Sequence, residues 1–435
     1  MMLRVAFFSA FFLYPFVTLS QHQDSLIYWL DNSSVELTIE PLINIQVLPE
    51  DVFSGKRIVL AGEATHGTLE FAQIKFELFK YLVEKFDFSY FLVEADFAKS
   101  LAINEYVGGG NGDPKQLLSE LGYFHIANSE GLRLVQWMHQ YNSDKKEKDK
   151  IQFYGIDCQE STTALAMLKE FFLNTNSEFY RQIKNVDLLE PTLKYGAKTV
   201  DLDTINIIQS ELKTNKQIYW HNSSIDEWNL MVKLADILYQ SHQINNGPIG
   251  YLSREKFSAA NIDWILTSSI RNKKKVKTKF SKAMIWAHNA HVNYTVITNA
   301  ATGKTGNSLG SHLKKKYKNQ VYSIGFDFNQ GSFYAKEILA DTIVGKVFTV
   351  PEAPATTFSY LLSRIAKPAL FIDFNGIRNE SLRTYLTTTK VKCRDVSAVF
   401  SDSYPLGRQF RNYLLPERFD GFIFVDSTHP LYPLN

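Results

Sequence analysis

Cysteine is scarce in this chain: Cys158 and Cys393 are the only two in 435 residues. A disulfide framework is therefore excluded, and at most one bridge could form in an oxidising compartment. Two separate buried thiols are the simpler expectation, and a nucleophilic role for Cys158, which follows Asp157, the lesser one. An excess of charge of one sign is also lacking. Lys and Arg number 47 against 45 Asp and Glu, a net +2, so the chain carries no broad basic field and nucleic acid is not an expected partner. Lysine runs at 145–150, 271–279 and 314–318 read as solvated helix ends or loops. Beyond the first twenty residues no apolar run approaches a transmembrane span, so stable membrane insertion is not expected. Internal repeats and low-complexity tracts are missing, and the glycine-rich stretch 108–114 lacks the lysine and spacing of a phosphate cradle.

What is present suits a large core: 45% hydrophobic and 14% aromatic residues exclude wholesale disorder. By length the chain has room for two or three domains, or for one elaborated α/β domain. Its first residues, Met1-Met2-Leu3-Arg4, precede an apolar stretch at 5–19 and then Ser20-Gln21-His22-Gln23-Asp24. One positive charge, a short apolar core and small or hydroxylated residues at the exit describe a secretory signal peptide over residues 1–20, cleaved after Ser20. Pro15 and the short span argue against a permanent anchor, so the expectation is an exported protein, periplasmic or secreted.

Apolar runs that stop at a polar residue mark out a sheet. Residues 57–61 precede Gly62-Glu63, 90–93 precede Glu94, 151–156 precede Asp157, and 283–287 precede His288; later runs end at Asp327, Asp373 and Asp426. Between the first two runs Phe71, Ile74, Leu78, Phe79, Leu82 and Val83 recur at helical spacing. A right-handed β-α-β unit there would place Glu63 and Glu94 at the carboxyl ends of neighbouring parallel strands, the edge where α/β sheets bind ligands. Residues 161–280 read as helical and strand-poor. The resulting fold class is α/β, a central mainly parallel sheet flanked by helices: residues 21–160 form its first part, 161–280 an added helical subdomain, and 281–435 its second part.

The bunching of Glu63, His66, Glu94, His288 and His291 suits proton transfer. An imidazole at a helix N-terminus favours its neutral, accepting form, while a nearby carboxylate fixes its tautomer, which makes His66 the candidate general base with Glu63 or Glu94 orienting it. His288 and His291 follow one strand and can share an edge, one binding substrate or stabilising an oxyanion while the other holds the loop. With Glu63 and Glu94 they also make a two-histidine, two-carboxylate metal set; that is the lesser alternative, and neither a metal nor another cofactor is expected. Glu63-x-x-His66 matches half of a di-iron carboxylate signature, but no second copy appears.

Gly62-Glu63-Ala64-Thr65-His66-Gly67, Val93-Glu94-Ala95-Asp96 and Trp286-Ala287-His288-Asn289-Ala290-His291 together resemble the erythromycin esterase family. The resemblance continues through Tyr106-Val107-Gly108-Gly109-Gly110, Gly155-Ile156-Asp157, Gly310-Ser311-His312-Leu313 and Phe419-Asp420-Gly421-Phe422-Ile423, in order, over most of the chain beyond residue 50. It implies that Glu63, His66, Glu94 and His288 line an active site in which His66 activates water against an ester. It also implies that Arg254 and Asn261 lie on a helix facing the cleft. Lys75 stands where the family usually has a substrate-anchoring arginine, and loses the bidentate fork; in a helix begun at His66 it would point away. Ile126 stands near a position commonly tryptophan. The expected activity is hydrolysis of a small-molecule ester or lactone, with a macrolide, and hence antibiotic resistance, suggested by the family label alone. A metal-dependent hydrolase and a non-catalytic ligand-binding protein on the same scaffold are the alternatives.

Gly306-Asn307-Ser308-Leu309-Gly310 fits the nucleophile-elbow pattern, with Asp373 and His429 following in triad order. The elbow needs a buried strand before it, whereas residues 298–305 are small and polar, so Ser308 reads as a helix cap.

Overall fold

A computed structural model describes residues 14–39, 43–191, 196–247, 250–267, 281–298, 303–339 and 342–434. Its strands, in chain order, are β1 (Ser34–Glu36), β2 (Ile58–Ala61), β3 (Tyr90–Asp96), β4 (Gln152–Asp157), β5 (Ala283–Trp286), β6 (Val296–Thr298), β7 (Thr305–Asn307), β8 (Val321–Ile338), β9 (Ile343–Val350), β10 (Ala369–Asp373), β11 (Val391–Arg394), β12 (Phe410–Tyr413) and β13 (Gly421–Thr428). Nine make one sheet in the order β1-β10-β13-β8-β2-β5-β3-β4, with β9 hairpinned onto β8. The six from β13 to β4 run parallel, while β1, β10 and β9 pair antiparallel. Sheet and flanking helices agree with the α/β expectation.

Side chains alternate between the two faces with the strand period of two. Ile58, Leu60, Leu92 and Ile285 enter one apolar cluster, and Val59, Ala61, Phe91 and Met284 the other. The second face is covered by the helix Leu69–Phe86, which buries Phe71, Ile74, Leu78, Phe79 and Leu82. The first is covered by the helices of residues 161–267, among them Thr162–Thr175, Ile225–Asn246 and Ser253–Thr267. Their Leu165, Leu168, Leu234 and Ile262 share a cluster with the strands, so this helical stretch is a covering layer of the sheet.

One topological expectation is corrected. β2 and β3 are parallel but not neighbours, because β5 lies between them, with Leu60, Ile285 and Leu92 in register. The crossover from β2 skips one position, and a strand from more than 180 residues downstream fills it. Gly62-Glu63, Ala287-His288 and Glu94 therefore leave the sheet side by side, histidine in the middle. Gly62 permits this closeness: a Cβ there would lie 2.2 Å from Asn289 Oδ1. Asn289 reaches past it to Phe326 on β8, accepting from its N–H at 3.0 Å and donating to its carbonyl at 2.7 Å.

Two other strand-end acids do not join this edge. β10 is antiparallel to β13, which places Asp373 at the opposite end of the sheet, where it accepts from the Tyr322 hydroxyl at 2.9 Å. Asp327 lies inside the long β8, buried, accepting from Ser359 Oγ at 2.7 Å and the Arg394 N–H at 3.0 Å.

The helix Tyr14–Asn32 runs through the expected cleavage point at Ser20, whose leader lies partly outside the described residues. Leu26 and Leu30, both beyond that point, are in the core. Among the described residues no helix is long and apolar enough to cross a membrane.

Candidate active site

Glu63 leaves β2 buried, and three donors converge on its carboxylate. Oε1 lies 2.5 Å from His66 Nδ1; Oε2 accepts from Lys75 Nζ and, at 2.8 Å, from Trp286 Nε1. Burial pushes the Glu63 carboxyl upward, but Lys75 and His66 outweigh it and hold the group below its ordinary value. An ionised carboxylate can only accept, so His66 Nδ1 carries a proton and Nε2 is the ring nitrogen turned away from Glu63. Among the described residues Nε2 has no hydrogen-bond partner, and His66 lines a cleft of about 930 Å³.

The second carboxylate, Glu94, sits where the pairing of β3 with β4 slips between Val93 and Asp96, an irregularity of the kind that re-aims a side chain. Its Oε1 accepts from Arg254 Nη2 at 2.9 Å and His291 Nε2 at 3.1 Å, and its Oε2 from the His288 main-chain N–H at 3.1 Å. Burial raises this carboxyl, yet His291 and Arg254 hold it well below the usual carboxylate range. Arg254 also clamps Asp157 at the end of β4, at 2.6 to 3.1 Å. His291 bridges two carboxylates, Glu94 and Glu255, the latter at 2.7 Å from Nδ1. Both ring nitrogens must donate there, so His291 is an imidazolium; burial pulls its pKa down, but Glu255 and Glu94 raise it well above the ordinary value.

His288 lies between the two carboxylates, its ring centroid 5.2 Å from that of His66. Its Nδ1 accepts from the Ala290 N–H at 3.1 Å, and Nε2 faces the carbonyls of Val396 at 3.2 Å and Ala64 at 3.4 Å, with Asp395 Oδ1 also at 3.4 Å. Burial lowers its pKa, so the ring is neutral, with both nitrogens already engaged.

The arrangement brings together Glu63, His66, Glu94, His288, His291 and Arg254, the last five lining the cleft. Two expected substrate-binding residues do not reach it. Lys75 is fully buried: the helix begins at Leu69, not His66, which turns Lys75 back beneath the sheet edge onto Glu63, 4.1 Å from the Trp286 ring centroid. Asn261 is equally buried, donating to the Ile156 carbonyl at 2.9 Å and accepting from Gln240 at 3.0 Å. It fastens its helix to β4. Ile126 packs in the core, while His125 faces the cleft. The ring of His125 lies 5.0 Å from that of His66, its buried Nε2 lacks a partner, and burial depresses its pKa to about 4.

His125 and Glu255 escape a reading of the sequence. His125 sits in an irregular segment with no strand before it, and Glu255 shows itself only as the neighbour of Arg254. Among the described residues no group of three His, Cys, Asp or Glu side chains is arranged to hold a metal ion. Ser308 caps the helix Leu309–Tyr317, accepting from the Ser311 N–H at 3.1 Å and donating to the carbonyls of Asn293 and Thr295. His429 pairs with Glu70 and Asp373 lies at the other sheet end, so no triad forms. Cys158 and Cys393 are free and buried, with thiols pushed up by burial.

Compared with known proteins, residues 83–428 match the family model described as erythromycin esterase. This chain belongs to the erythromycin esterase family. The matched span contains Glu94, Arg254, His288 and His291, and Glu63 and His66 precede it. A Bacillus subtilis (strain 168) protein provisionally named hydrolase YbfO is 22% identical over 409 residues, 87% of this chain and 85% of its own. Erythromycin esterase type II from Escherichia coli is 23% identical over 279 residues, 57% of this chain and 63% of its own. A Bacillus cereus protein of known crystal structure shares the fold at a TM-score of 0.75 and 22% identity, covering 95% of this chain and 99% of that one. A histidine-to-asparagine mutant of the erythromycin esterase EreC, in its open conformation, shares it at 0.61 and 13% identity, covering 89% and 95%. Family membership and these names support hydrolysis as the coarse activity.

Proposed function

We propose that this protein hydrolyses a small-molecule ester or lactone, with His66 as the general base that activates water. The observation that carries the reading is the Glu63–His66 pair: Nδ1 is bound to an ionised carboxylate, and Nε2 is left without a partner on the cleft side. That is the orientation a water-activating imidazole needs, with Nε2 unprotonated as the accepting atom. Lys75 and Trp286 act as positioning residues, holding the oxygen of Glu63 that His66 does not use. Arg254 and the His291 imidazolium set their charge on the cleft floor, where it holds Glu94, Asp157 and Glu255 in place. His288, with both nitrogens engaged by the main chain, shapes the cleft and spaces His66 from Glu94.

A screen of esters and lactones, run on wild type beside His66→Ala, tests this reading. Turnover of at least one substrate that falls by about a hundredfold or more in a folded His66→Ala protein is expected. Near-normal turnover after the substitution would overturn it.

Export is proposed as well. The charged, apolar and small-residue order of residues 1–20 supports a cleaved leader, and the core contacts of Leu26 and Leu30 lie beyond the cleavage point.

A further inference from the structure

The charges around the cleft are divided between its floor and one wall. On the floor, Arg254 and His291 are closed against Glu94, Asp157 and Glu255, three carboxylates around two cations. At the rim Lys99 is paired with Glu160 at 2.7 Å. The wall formed by β8, β12 and the segment before β12 differs. Lys336, Arg408 and Arg411 line it, all exposed, and among the described residues none has a carboxylate partner. Arg411 donates to the main-chain carbonyls of Arg408 at 2.8 Å and Phe410 at 3.0 Å. The Arg408 guanidinium lies 3.9 Å from the Tyr404 ring centroid, and the Lys336 ammonium 5.8 Å from that of Phe124. The acids nearest in sequence to Lys336 and Arg408, Glu337 and Asp402, are both taken by Lys346, and Asp395, which also lines the cleft, accepts from the Tyr413 hydroxyl. Three cations without acids thus share one wall of a cleft, in a chain whose whole net charge is +2.

We propose that the substrate is an ester whose non-reacting part carries an anionic group, a carboxylate or a phosphate, bound by Arg408, Arg411 and Lys336 while the scissile bond lies at His66. Arginine forks match carboxylate and phosphate oxygens, and charge-assisted hydrogen bonds are the stronger ones. The surplus carboxylate on the floor repels the same group, so the two ends of the cleft orient the substrate in one direction. The inference rests on the hydrolase reading for the reaction, and on the wall alone for the anion.

The test compares monophenyl esters of succinate, glutarate and adipate with their methyl-capped neutral counterparts, and adds phenyl esters of ω-phosphorylated acids of matching length. At least one anionic ester should exceed its neutral partner in kcat/KM by about tenfold or more, the scale of one well-made charge-assisted contact. In the combined variant Lys336→Gln/Arg408→Gln/Arg411→Gln that ratio should fall toward one, with thermal unfolding as the check on folding. The carboxylate and phosphate arms decide between the two anions. Calorimetry of adipate and hexyl phosphate binding to wild type and variant needs no turnover. Binding that the variant loses, in a protein that cleaves no ester, would retain the anion site and discard the hydrolase reading. Ester cleavage at ratios near one would retain the hydrolase and overturn the anion site, as would the absence of both preference and binding.

Discussion

His66 Nδ1 lies 2.5 Å from Glu63 Oε1, and this contact fixes where the imidazole keeps its proton. Replacing His66 with Ala should lower turnover by about a hundredfold or more, the scale for removing a general base. Glu63→Gln should do comparable damage by a different route. An amide can offer its N–H to Nδ1 and favour the other tautomer, which removes the accepting lone pair from Nε2. Steady-state kinetics on both variants, with circular dichroism to confirm folding, checks this. Near-normal turnover in folded Glu63→Gln would show that the carboxylate does not set the tautomer.

Lys75 is the partner that keeps Glu63 ionised. Burial lowers its ammonium to about 8, so near neutral pH the pair is mostly charged, with Trp286 alongside. Lys75→Met leaves a buried carboxylate without its ammonium partner and should cost about 3–5 kcal/mol in urea denaturation. Lys75→Met/Glu63→Leu should recover part of that loss, because no charge then remains buried. A single variant as stable as wild type would mean that the pair does not hold Glu63 in its charged form.

These two residues also show what the sequence reveals and what it withholds. Strand ends were legible because buried parallel strands are short apolar runs and their stops are abrupt: Glu63, Glu94, Asp157 and His288 all lie at the expected edge. The insertion of β5 between β2 and β3 was not legible, because strand order comes from long-range packing and leaves no local pattern. Lys75 reads as a substrate anchor only through the family resemblance; in the helix Leu69–Phe86 it turns onto Glu63 instead. Glu255 reads as one more charge on a helix until the fold sets it against His291.

The charge state of His291 predicts a pH dependence of stability. Its folded pKa is raised, so its contribution is fully present below about 6.5, the unfolded value, and is lost as pH rises through the folded one. Glu94 behaves in the opposite sense. Its folded pKa is depressed, so its contribution is present above about 4.5 and is lost in acid. Lys75, lowered to about 8, adds stability as pH rises from there toward 10.5, but it is common to both proteins compared. Wild type minus His291→Gln, followed by urea denaturation from pH 5 to 9, should therefore shrink on the alkaline side. A difference that stays flat with pH would contradict the imidazolium.

The proposed leader makes a separate prediction. Protein recovered from its native source should begin near Gln21, leaving residues 21–32 to keep Leu26 and Leu30 in the core. N-terminal sequencing or intact mass decides this. Cytosolic protein retaining Met1 would refute export.

Direct attack by water predicts that no acyl-enzyme forms, and the two side chains that could form one are poorly placed. The Ser308 hydroxyl is buried, donates to main-chain carbonyls and accepts from the Ser311 N–H, the bonding of a cap. The Cys158 thiol is pushed well above its ordinary value by burial, which keeps it protonated and poorly nucleophilic. Ser308→Ala should cost about 1 kcal/mol of stability through the lost cap, and both Ser308→Ala and Cys158→Ala should retain most activity. Rapid mixing should show no stoichiometric burst of product, although fast deacylation hides a burst as well, so the variants are the stronger measurement. An adduct on Ser308 or Cys158, seen in the intact mass and abolished together with turnover by substituting that residue, would make the side chain the nucleophile in place of water.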